Sequence, residues 1–290
     1  MADAIPLAGL TWVRPIRADD FQLSEGVIKR PRVRRYKEYH PFKETGLFRI
    51  FADTEPTPEG CLRFARAYGF LRRPNGPENV ADWLPHLNTM RRLVRLWDAA
   101  RSMDEQAVRK IVSAQPDGHV YLDADLWELH WKVDVPAGIG AAFAPTLTAQ
   151  ALAYCCFVVN RLADEERRQQ AGEGAFLRYR LMWNPAADQF EHQLSPADLL
   201  SVLYLQFSVA VAGKKDYHRC PSCGRWFEVR PGVARANKLT CNQKCRTQAY
   251  RLRQERAREL KAQGKTVTQI ARELGAEPGA VKKWVANNKG

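Results

Sequence analysis

The sequence predicts a mainly α (α+β) protein in three parts: a helical N-terminal domain with a small β-hairpin, a small four-cysteine module, and three short helices at the carboxyl end. Three observations carry that expectation. Apolar residues recur at helical spacing in five stretches, residues 57–71, 87–99, 103–112, 147–168 and 196–211. Four of the seven cysteines form two close pairs, Cys220 with Cys223 and Cys241 with Cys245. The charge is also split: residues 1–213 hold 26 Lys and Arg against 26 Asp and Glu, whereas 214–290 hold 19 against 6, so the net charge of +13 sits in the last 77 residues. Domain boundaries are expected at 1–212, 213–250 and 251–290.

The opening ten residues contain no Lys or Arg and no long apolar run, so they do not read as a secretory leader. No stretch reaches the ~18 consecutive apolar residues of a spanning helix. An odd cysteine count with metal-type spacing fits a reducing compartment better than a disulfide scaffold. The expectation is a cytoplasmic, nucleoid-associated protein with no membrane partner, in which Cys61, Cys155 and Cys156 are ordinary buried thiols. A cationic surplus on a short segment attracts phosphate backbones by counterion release. A polyanion is therefore the expected partner; a homodimer and a small-molecule effector stay open.

Residues 1–45 read as irregular, with six cations in the ten residues from Ile28 to Lys37. That run suits either a nucleic-acid contact or a solvated edge. Thr57-Pro58-Glu59 is a helix start, a capping threonine before a proline at the first helical position. Residues 176–183 and 190–194 alternate as two strands around a turn at 184–188. Phosphate-cradling glycines, a serine elbow and paired zinc-protease histidines are all lacking from the N-terminal domain. Its densest polar cluster is Asp123, Asp125, Glu128 and His130, and the interleaved leucines and tryptophans make a half-buried element with a solvated face sufficient to explain it.

The cysteines follow C-x2-C-x17-C-x3-C. Pro221, Ser222 and Gly224 suit a tight knuckle that turns two thiolates to one point. Residues 226–229 read as a strand, 230–232 as a break and 238–240 as a returning strand. A helix then begins behind Asn242, a good capping residue, with Cys241 and Cys245 near its first turn. Four thiolates leave no open coordination position, so Cys220, Cys223, Cys241 and Cys245 are expected to hold one structural Zn2+. His218, two residues before Cys220, is expected beside that site, not on it.

The segments Cys220-Pro-Ser-Cys-Gly-Arg-Trp-Phe and Cys241-Asn-Gln-Lys-Cys-Arg246, followed by Tyr250 and Arg251, resemble a treble-clef zinc finger, similar to the CGNR finger of bacterial stress-response transcription regulators. Here Arg246, Thr247 and Gln248 follow the last cysteine in place of Gly-Asn-Arg. Residues 41–71 resemble the N-terminal part of such proteins and bring across no catalytic residue.

After Arg251 the sequence gives an arginine-coated helix ending at Gly264, a second helix carrying Val267, Ile270, Ala271 and Leu274 up to Gly275, and a third opened by Pro278 with Val281, Trp284 and Val285 inward. These three helices resemble a helix-turn-helix of the resolvase or transposase kind, which implies double-stranded DNA as the partner and the third helix in its major groove. In that pose Gly279, Lys282, Lys283 and Asn287 face DNA, joined by Arg246, Arg251, Arg253, Arg256 and Lys265. The finger helix is expected to run on unbroken into the first of the three, aligning Arg246, Arg251, Arg253, Arg256 and Arg258.

The sequence thus reads as a zinc-dependent DNA-binding protein, a bacterial transcription regulator and not an enzyme. The alternatives are a nucleic-acid-processing enzyme or mobile-element or defence accessory protein with its site in residues 1–212, and an RNA-binding module.

Overall fold

The computed structural model describes residues 10–17, 20–30, 36–72, 76–114, 120–122, 177–184, 189–229 and 238–286, with backbone alone at 112–114, 120–122, 177–184 and 189–195. Helices and small antiparallel sheets are mixed, an α+β architecture, in two compact units, Met1–Lys215 and Asp216–Gly290.

In the first unit, four short strands replace the irregular start expected from the sequence. β1 (Trp12–Pro15) pairs with β4 (Tyr36–Tyr39), and β2 (Gln22–Ser24) with β3 (Val27–Lys29). At three or four residues each, their alternation is too brief to show in the sequence, and β1 finds its partner only by a long-range return of the chain. The basic run is split between β3 and β4, with residues 31–35 outside the described part.

Helix α1 (Leu47–Asp53) and helix α2 (Pro58–Tyr68) follow, α2 capped by the Thr57 hydroxyl accepting from Gly60 N at 3.1 Å. β5 (Glu78–Asn79) joins β3 and leads into α3 (Val80–Arg101), which begins two turns earlier than the sequence suggested. Pro85 reads as a breaker, but it falls within the first two turns, and Asn79 has already capped the helix by accepting from Ala81 N. After α3, α4 is limited to Glu105–Arg109 behind an Asp104 cap, because Val112 already belongs to β6 (Val112–Ala114), paired with β7 (Val120–Leu122).

The expected hairpin is β8 (Leu177–Asn184) against β9 (Gln189–Pro196). Helix α5 (Leu199–Ala212) starts at an Asp198 cap and is buried along most of its length. The expected helix over 147–168, the thiols Cys155 and Cys156, and the cluster of Asp123, Asp125, Glu128 and His130 lie outside the described residues.

The core of this unit forms where α1, α3 and α5 meet: the Phe207 ring sits edge-on to Phe48 and Trp97, with centroids 5.8 and 6.0 Å away. Several of its buried polar groups are paired. Gln206 donates to the carbonyls of Pro41 and Glu44 and accepts from Phe48 N. Glu78 accepts from Leu71 N, Arg72 N and the Trp83 indole. Arg49 holds Asp98 in a two-pronged pair at 2.7 and 2.9 Å. These contacts tie α5 to the segment before α1, β5 to α3, and α1 to α3. Cys61 is a buried thiol whose pKa burial pushes up to about 11, which makes it inert.

The second unit holds β10 (Asp216–Arg219), β11 (Trp226–Val229), α6 (Gln243–Ala262), α7 (Val267–Leu274) and α8 (Pro278–Ala286). β11 is a strand as expected, but its partner is β10, with Arg219 opposite Trp226, and residues 238–240 are not a strand. The cysteine knuckle itself closes this hairpin: Cys220 N donates to Arg225 O and Gly224 N to Cys220 O, so the chain reverses before any later segment is needed. Gly224 takes a φ of 69°, the left-handed value such a turn demands.

α6 runs unbroken across residue 250, so the four-cysteine module and the three-helix module share one element. Gly264 ends it at φ 84°. Thr266 and Gln269 form a reciprocal capping box at the start of α7, and Gly275 closes α7 in the left-handed conformation. Ala257 and Leu260 of α6 pack with Ile270, Ala271, Val281 and Trp284 as one buried cluster. Among the described residues no helix is long and apolar enough to cross a membrane.

Candidate metal centre and nucleic-acid interface

β10 and β11 deliver the knuckle, while the first turn of α6 delivers Cys245 and the residue just before its cap is Cys241. The Asn242 side chain accepts from Cys245 N at 2.9 Å, which fixes the first turn of α6 and places Cys245 inside it. Arg219 braces the knuckle from outside by donating to Gly224 O. The sulfurs of Cys220, Cys223, Cys241 and Cys245 consequently lie within 4.8 Å of one another, and Cys241 stands 3.5 Å from both Cys223 and Cys245. Sulfurs bound tetrahedrally at about 2.3 Å from an ion stand about 3.8 Å apart, so this cluster has the dimensions of a four-thiolate metal site. Cys220 and Cys245 are buried with Phe227 and Val229, Cys241 is half-buried and Cys223 is exposed. His218 lies in β10 against the Phe227 ring and is not one of the clustered ligands.

Burial disfavours a thiolate at Cys220, yet backbone N–H groups of Cys241, Cys223 and Ser222 aimed at its sulfur outweigh that and bring it down to about 6. Cys241 is pushed up to about 12, first by burial and then by the sulfurs of Cys245, Cys223 and Cys220. Sulfurs this close cannot all carry charge without a cation between them. A bound dication removes the conflict and lets all four ionise.

The arginines of α6 do not form a single line. At about 100° per residue, Lys244, Arg251 and Arg258, spaced by seven, share one stripe, and Arg246 with Arg253 share another, so Arg251 and Arg253 point to nearly opposite sides. Arg246, Arg251, Arg253 and Arg256 are all exposed; Arg256 pairs with Glu259 at 2.8 Å, while Arg251 and Arg253 meet no carboxylate among the described residues. Arg258 turns back to donate to Trp284 O at the end of α8.

On α8, Gly279, Lys282 and Lys283 share the exposed side opposite Val281 and Trp284. Asn287 lies outside the described residues. Lys265 is half-buried and ion-paired with Glu273, so a phosphate would have to compete for it. Two contributors were not visible as such in the sequence. Arg219 gives no local signal of its bracing bond, and Tyr250, whose hydroxyl receives the Trp284 indole N–H, is 34 residues away from that partner.

Comparison with known proteins adds no relative: no family model, curated protein or solved structure matches the chain.

Proposed function

We propose that this is a zinc-dependent DNA-binding protein that acts as a bacterial transcription regulator, gripping duplex DNA through its finger and a helix-turn-helix. The observation that carries the reading is α6 itself. Its first turn contributes to the four-sulfur cluster, and its last turns form the core against which α7 and α8 fold. Four sulfurs and no other donor favour zinc in a closed, structural coordination shell. The ion supplies no bond-making chemistry there; it pins two pieces of chain together.

In this reading α8 is the groove-entering helix. Pro278, Gly279 and Ala280 are too small for two-pronged base contacts, so Lys282 and Lys283 supply mostly phosphate affinity and base discrimination is modest. B-form DNA admits a helix in its major groove, whereas the deep, narrow major groove of double-stranded RNA does not. Duplex DNA should therefore bind more tightly than a structured RNA of equal charge. Replacing Lys282 and Lys283 by alanine should weaken every DNA sequence alike. Fluorescence anisotropy with the full chain tests both points, and equal or tighter RNA binding refutes the proposal.

A further inference from the structure

The buried cluster of the finger, Cys220, Phe227, Val229 and Cys245, shares no residue with the three-helix cluster that begins at Ala257. No residue of α6 between Cys245 and Ala257 is buried. Twelve residues of helix put about 18 Å between the two cores. Only Ala249, Tyr250 and Leu252 interrupt the polar surface of this stretch, and of these Tyr250 meets Trp284 of α8; a mostly polar helix bridges two bodies or lies against something charged. The intervening stretch is cationic: residues 246–256 carry four Arg against one Glu, and Arg253 and Arg256 repel at a spacing of three. By contrast, α7 and α8 together hold three cations and one Glu. More of the net charge of these three helices therefore lies on α6 than on the two helices that follow it. Arg246 and Arg253 fall on the side of α6 that also carries Ala257, the side that receives the helix-turn-helix.

We infer that α6 is a ruler: it holds finger and helix-turn-helix at a fixed separation and angle so that both engage one duplex, with Arg246 and Arg253 on the phosphates between them. This rests on the DNA-binding function proposed above and adds that helical phase sets affinity. The partner is a duplex long enough to reach both ends, about nine base pairs for a helix of this length.

Full-length protein with one alanine inserted after Gln248 turns the finger by about 100°, while four inserted alanines turn it by only about 40° and lengthen the helix by about 6 Å. Bound metal and helicity confirm that both variants fold. Binding to a 20-base-pair duplex should fall about tenfold or more for the single insertion and distinctly less for the fourfold one. A second variant, Arg246→Gln with Arg253→Gln, should flatten the salt dependence by about 0.9 per lost contact. Equal affinities for the two insertions, tight or weak, or an unchanged salt slope in the double variant overturn the ruler while wild-type binding leaves the function standing. If the wild-type chain fails to bind duplex DNA, the function itself falls.

Discussion

The indole N–H of Trp284 donates to the hydroxyl of Tyr250 at 2.9 Å, and the two rings meet edge-on with centroids 5.7 Å apart. This contact ties the end of α8 to the middle of α6, above the buried cluster. Trp284→Ala should destabilise the three-helix module by about 3–5 kcal/mol, whereas Tyr250→Phe, which removes only the acceptor at a residue 49% exposed, should cost about 1 kcal/mol. Denaturant titrations that follow helicity check the contrast.

Metal removal should act unevenly along the second unit. A strong chelator should release one ion per chain and loosen β10, β11 and the first turns of α6, while the cluster from Ala257 to Trp284 survives because it contains no ligand. Amide exchange should show protection lost near Cys245 and kept near Leu260. Cys245→Ser should lose the ion, and Cys61→Ser should keep it. A chain whose exchange pattern ignores the chelator contradicts the metal centre.

Much of this architecture is legible in the sequence where a local signal exists. Thr57, Asn242 and Thr266 cap helices as their residue types imply, and cysteine spacing foretells the four-sulfur cluster. Legibility ends where a partner is distant. β1 and β4 are recognisable only once paired, and the β10–β11 hairpin closes through its cysteine knuckle where the sequence points to a returning strand at 238–240. Periodicity identifies α6 but not the division of its arginines into two stripes, which follows from counting turns once its full length is known.

Alkaline pH should weaken the first unit through Tyr39. Its hydroxyl donates to Tyr68 O at 2.6 Å, and burial raises its pKa well above the ordinary tyrosine value of about 10. A raised native pKa stabilises below the unfolded value and is lost as pH climbs past it. Wild-type melting temperature should drop between about pH 9.5 and 11 more steeply than that of Tyr39→Phe, which should cost about 1 kcal/mol at neutral pH.

Gly69 ends α2 at φ 92°, and a Cβ there would lie 2.2 Å from Val13 O. Gly69→Ala should therefore destabilise the first unit by at least about 2 kcal/mol, combining strain with displacement of β1. Metal content should not change, since the four clustered cysteines all lie in the second unit. Thermal melting alongside metal analysis measures both.

In the proposed function an ion held by four cysteines aims a cationic helix at duplex phosphates. Titration of the intact chain with a duplex oligonucleotide across a range of salt, once metal-loaded and once chelated, decides this. The metal-loaded protein should bind with an affinity that falls steeply as salt rises, and the chelated protein should bind more weakly with a shallower salt slope. Identical curves with and without metal, or no binding at low salt, contradict it.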